Sequence, residues 1–133
     1  MRLYKRTKGV ETHGNASPMN KMNFWQALDL LVAEHELVID RPAGSAHPRY
    51  TEFVYPLDYG YLRDTASSDG GGIDVWRGTA GTGIVAIKVT VDLGKRDSEI
   101  KILLGCTEEE IAIINEVHNG QFMKSILIRR DAP

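Results

Sequence analysis

Residues 55–75 of the chain read YPLDYGYLRDTASSDGGGIDV. Asp69 and Asp74 flank a run of glycines within it. A turn made almost wholly of glycine lets a chain aim two carboxylates at one place. Hard oxygen ligands gathered in that way suit Mg2+, and also Mn2+, which take carboxylate oxygens while keeping several waters. Arg49 and Lys101 can supply cations, and Tyr55, Tyr59 and Tyr61 can supply phenolic hydrogen bonds. Carboxylates, cations and phenols are the kit needed to hold a compact polyanion, such as a phosphorylated small molecule, and to deliver an activated water to it.

Each of these residues also has an ordinary reading. Two aspartates beside glycines usually make a turn. Tyrosines at 59 and 61 fit a half-buried strand. Arg49 follows a proline and reads as a solvated loop residue, and Lys101 reads as the polar side of an alternating strand. Their combination, in one order, is what points to a site.

The elements that must position them are short. Phe24, Leu28, Leu31 and Val32 recur at helical spacing, which predicts a helix over residues 23–35 capped by Asn23. Residues 37–39 read as a strand stopped by Pro42 and Gly44, and residues 50–55 as extended chain. Residues 74–76 open another strand, and residues 83–91, GIVAIKVTV, are the clearest one because they are rich in β-branched side chains. A strand over 100–104 follows. Thr107 and Glu110 then form a capping box for a helix to about residue 118, with Ile111, Ile114 and Val117 inward. Asn119 and Gly120 end it, and residues 121–129 read as a last strand. The pattern is α+β around a small, barrel-like sheet. Residues 1–21 show no periodicity and read as a flexible arm, leaving residues 22–133 as a single domain.

Composition limits the alternatives. The chain has 133 residues, a net charge of −2 and 42% apolar residues, which fits one soluble domain with a core. Near-neutral charge, with no stripe of basic and aromatic residues, argues against nucleic acid as a partner. No apolar run approaches the roughly 18 residues of a spanning helix, so no membrane is expected. The basic start lacks an apolar stretch behind it and reads as no secretory signal. A single cysteine, Cys106, excludes an internal disulfide and fits a reducing, cytoplasmic setting. It is expected to be buried and structural. The four histidines show no metal-ligand spacing.

Two blocks carry a resemblance. Residues 37–50, LVIDRPAGSAHPRY, place Asp40, Arg49 and Tyr50 where the soluble (family I) inorganic pyrophosphatases have an acidic residue, a lysine and a tyrosine. In residues 55–75, Tyr55, Pro56, Tyr59, Gly60, Tyr61, Thr65, Asp69, Gly70, Asp74 and Val75 are similar to that family's signature region. A weaker third block, residues 99–103, resembles its Asp-x-Lys strand. The resemblance spans about half the chain. It implies a small closed OB-like β-barrel with flanking helices and hydrolysis of pyrophosphate to two phosphates with Mg2+. It also implies roles: Asp69 and Asp74 as metal ligands, Glu99 or Asp97 as the third, Asp92 as a more distant one and Asp40 at the edge of the cluster. Arg49 and Lys101 would bind phosphate, and Tyr59 would order the metal and water network. Bacterial relatives commonly assemble as homo-oligomers.

The chain also departs from that family. Gly71 stands where the family has the middle carboxylate of its signature, and the general base it can serve as is typically worth about 10²–10⁴ in rate. Only four residues separate Tyr50 from Tyr55, with no arginine among them. The family's late Tyr-Lys phosphate pair has no match, since the last tyrosine is Tyr61; Lys124, Arg129 and Arg130 are the substitutes by position. The alternative to an enzyme is therefore a catalytically weakened relative that holds a phosphorylated ligand or hydrolyses another phosphoanhydride.

Overall fold

A computed structural model describes residues 21–130. The arm expected over residues 1–21 lies, apart from Lys21, outside the described residues. Helix α1 (Phe24–Glu34) starts at the expected cap. The Asn23 side chain accepts from the N–H of Gln26 at 2.8 Å, and Gln26 accepts from the N–H of Asn23 at 3.0 Å. Helix α2 (Glu108–Val117) starts with the predicted box, in which Thr107 and Glu110 satisfy each other's backbone donors. Its first turn holds Glu108, Glu109 and Glu110, which suit the positive end of the helix dipole.

Six strands make one sheet: β1 (Leu37–Arg41), β2 (Asp58–Leu62), β3 (Ile73–Arg77), β4 (Ile84–Asp92), β5 (Asp97–Leu104) and β6 (Met123–Arg129). Their order is β1-β2-β3-β5-β4-β6, with β3 and β5 parallel and every other pair antiparallel. Alternation along the strands splits the core in two. Trp76, Ala86 and Leu103 face α2, where they meet Ile111 and Ile114. Val75, Ile102 and Leu62 face the other way and pack under Trp25, Leu28, Leu31 and Val32 of α1.

The α+β class, both helices and the strands read at 37, 74, 83, 100 and 121 stand, with boundaries moved by a few residues. Three expectations change. First, the sheet is open: β1 and β6 are its edges, and among the described residues no ladder joins them. A helix covers each face, so both faces have apolar residues to bury and closure is not needed to hide one of them. Second, residues 50–55 are not extended; Tyr50 begins a bend and turn, and the only bridge there pairs Ala46 with Val54. Third, Trp25 takes the inward place expected of Phe24, which is exposed.

Glycine is obligatory at one position that orients the site. A Cβ at Gly60 would lie 1.8 Å from the carbonyl oxygen of Val38, so the close approach of β1 to β2 requires hydrogen there.

Candidate functional site

The site lies on the α2 side of the sheet, where β3 and β5 run parallel. Cross-strand register sets Tyr61, Asp74, Lys101 and Lys88 side by side on β2, β3, β5 and β4. The Lys101 ammonium donates to Asp74 Oδ2 at 2.7 Å and to the Tyr59 phenolic oxygen at 2.9 Å. Tyr59 packs on the Trp76 ring, with centroids 4.5 Å apart. The indole N–H of Trp76 donates to His118 Nε2 at 3.1 Å. Burial first, and then the Asp74 charge, raises the Tyr59 phenol far above its ordinary value, so it stays protonated. Burial, reinforced by Lys101 and Lys88, lowers His118 to about 3 and keeps it neutral.

Two residues back along β5 the chemistry changes sign. Asp97, Glu99 and Lys101 alternate along the strand and so share its face. Oxygen atoms of Asp69, Asp97 and Glu99 all lie within 4.8 Å of one another. Asp69 reaches this place from the glycine loop. Gly70 takes a left-handed backbone there, at φ 86°. The Gly71 N–H and the Ser67 hydroxyl donate to Asp69 Oδ1 at 2.9 and 2.8 Å, which holds its carboxyl below the usual range. Ser68 then ties the loop to β5 by donating to the carbonyl of Ser98 at 2.8 Å.

The Lys95 ammonium stands 3.8 Å from Asp69, Asp97 and Glu99 alike, a cation already drawn to the point between three carboxylates. Burial opposes its charge, but Asp97, Glu99, Asp69 and Asp92 together raise its pKa. Glu99 Oε1 is buried and has no hydrogen-bond partner among the described residues. Burial, more than the neighbouring carboxylates, raises the pKa of Glu99. Three carboxylates, one with an uncommitted oxygen, could hold a metal ion.

The structure brings together most of the expected residues, but in a different grouping. Asp97 and Glu99, expected as alternatives, both lie beside Asp69. Asp74 is engaged with Lys101 instead of the trio. Asp92 accepts from the Lys95 N–H at 3.0 Å and serves the β4–β5 turn. Asp40 is exposed on β1 beside Arg41, 3.5 Å away. Arg49 is exposed in the bend after β1, where its backbone N–H donates to His47 Nδ1. Its guanidinium makes no ion pair with the site among the described residues. The proposed substitutes for the late phosphate pair are also committed elsewhere. Lys124 donates to the carbonyl of Gly120, Arg129 pairs with Glu108, and Arg130 forks onto Asp29.

Sequence reasoning missed Lys95, Lys88, Trp76 and His118. Alternation along β4 would have put Lys88 on an inward position, but nothing local says which lysine it opposes. Cys106 is buried as expected, and burial first, then Glu110, pushes its thiol up to about 12. Among the described residues no helix is long and apolar enough to cross a membrane. Compared with known proteins, the chain matches no family model, and no curated protein matches it.

Proposed function

We propose that this chain is a Mg2+-dependent inorganic pyrophosphatase, with Mn2+ as a second usable cation. One observation carries the reading: β5 holds Asp97, Glu99 and Lys101 on alternate positions, so a carboxylate trio adjoins a lysine on one face. Asp69, Asp97 and Glu99 would hold the cation, which supplies positive charge toward phosphoryl oxygens and water. Lys101 would bind phosphate, and Asp74 and the stacked phenol of Tyr59 would aim its ammonium. Arg49, an exposed cation after β1, would be a second group for phosphate. Under this reading the protein works in the cytoplasm. Identical subunits assemble, and neither nucleic acid nor a membrane is a partner.

Phosphate release from pyrophosphate, measured with Mg2+ and then Mn2+, tests this against Asp74→Ala. Release that needs metal and vanishes in the variant supports it. No release above the variant, from folded protein, sinks it. A second reading rests on Gly71, which offers only a backbone N–H to Asp69 where a base would be needed. In that reading the site holds a phosphorylated ligand or turns over another phosphoanhydride slowly. Metal-dependent pyrophosphate binding without phosphate release would select it.

A further inference from the structure

Lys88 is the odd charge of this molecule. It is 0% exposed, and its register partner on β5 is Lys101, another lysine. Like charges directly opposite on neighbouring strands repel, and a buried ammonium without a carboxylate loses hydration for little return. Among the described residues Lys88 makes no ion pair. Its ammonium donates to Asn115 Oδ1, a neutral amide on α2. Burial lowers its pKa, as expected of a charge without a counterion. Asp74 answers Lys101 alone.

A second orphan lies at the end of α2. His118 is 3% exposed, and its Nδ1 has no partner among the described residues. Nε2 accepts from the Trp76 N–H, so the neutral ring carries its proton on Nδ1 as an unused donor. His118 is the C-cap of α2, the helix that also carries Asn115. Asn115 is exposed, so the amide that caps Lys88 is a surface side chain that an anion can displace.

We propose that Lys88 and Lys101 form a two-lysine seat for a phosphoryl dianion, with the His118 Nδ1–H as an added donor. This rests on the phosphate-site reading above and supplies the cation that Lys124, Arg129 and Arg130 do not. The ligand class is inorganic phosphate or a terminal phosphoryl group of an anhydride. Asp74 leaves the charge of Lys88 unanswered, and a phosphoryl anion there meets it.

The test is titration of inorganic phosphate into the full chain with Mg2+, by calorimetry and by the thermal shift it produces. The variants are Lys88→Met, Lys101→Met and Asn115→Asp. Lys88→Met keeps the side chain's length, so the ligand-free protein should melt no lower than the wild type. Its phosphate affinity should fall about 10- to 100-fold, the worth of one charge-assisted hydrogen bond. Asn115→Asp changes an exposed position and sets a carboxylate against Lys88. It should raise the melting temperature and weaken phosphate by a similar factor. Wild-type phosphate affinity in Asn115→Asp, or in folded Lys88→Met, overturns the proposal. If Lys101→Met alone loses phosphate, the phosphate-site reading survives and the two-lysine seat does not. If the wild type binds no phosphate, both fall.

Discussion

Replacing Lys95 with alanine should make the protein less stable without metal and a tighter binder of metal. The Lys95 ammonium sits 3.8 Å from one oxygen each of Asp69, Asp97 and Glu99. Its side chain is 58% exposed, so water screens each contact. Exposed pairs contribute about 0.2–1 kcal/mol each, and three together give about 1–2 kcal/mol. Lys95→Ala removes that attraction and leaves three carboxylates within 4.8 Å of one another. The melting temperature in chelator should therefore fall by about 3–4 °C per kcal/mol. A divalent cation entering wild-type protein must displace the ammonium, and in the variant it need not. At about 1.4 kcal/mol per tenfold change, Mn2+ should bind roughly five- to thirtyfold more tightly. Calorimetric titration with Mn2+, repeated in Asp69→Asn as the control that should lose binding, reads this directly. Unchanged or weaker Mn2+ binding by folded Lys95→Ala would refute the idea that the ammonium occupies the cation's place.

Two further outcomes are expected. Gly60→Ala should destabilise by about 3 kcal/mol or more, because its Cβ would meet the Val38 carbonyl at 1.8 Å and one edge of the site would shift; urea unfolding checks it, and a loss under 1 kcal/mol would contradict the tight β1–β2 approach. His118 makes stability depend on pH: its folded pKa of about 3 lies below the ordinary 6.5, so the stability it allows is whole above pH 6.5 and drains away as pH falls toward 3. At about 1.4 kcal/mol per pKa unit this amounts to several kcal/mol. His118→Gln, which still offers an acceptor to Trp76, should flatten urea midpoints across that window, and an unchanged slope in the variant would exclude His118 as the cause.

The elements were legible wherever their causes are local. Asn23 with Gln26, and Thr107 with Glu110, are caps within one turn of chain, and both form. The β-branched run of β4 forms its strand. Residues 50–55 misled because they hold Phe53, Val54 and Tyr55 close together, yet that segment turns so that Tyr55 can stack against Tyr59 and Trp76. Cys106 was legible too, since a lone apolar thiol before a helix belongs in a core.

For the site, the sequence by itself determined its ingredients: a glycine loop bearing Asp69, Asp97 or Glu99 just before a strand that carries Lys101, and a tyrosine-rich segment before them. Those are consequences of backbone freedom and of a two-residue period, both local. Only the tertiary structure decided the grouping. The parallel pairing of β3 with β5 gave Asp74 to Lys101, and the docking of the loop through Ser68 brought Asp69 to Asp97 and Glu99. The β4–β5 register set Lys88 against Lys101, and α2 brought Asn115 to Lys88 and His118 to Trp76. Charges meet across a sheet by register and by the layer that covers it, and neither is written in the spacing of residues along one strand.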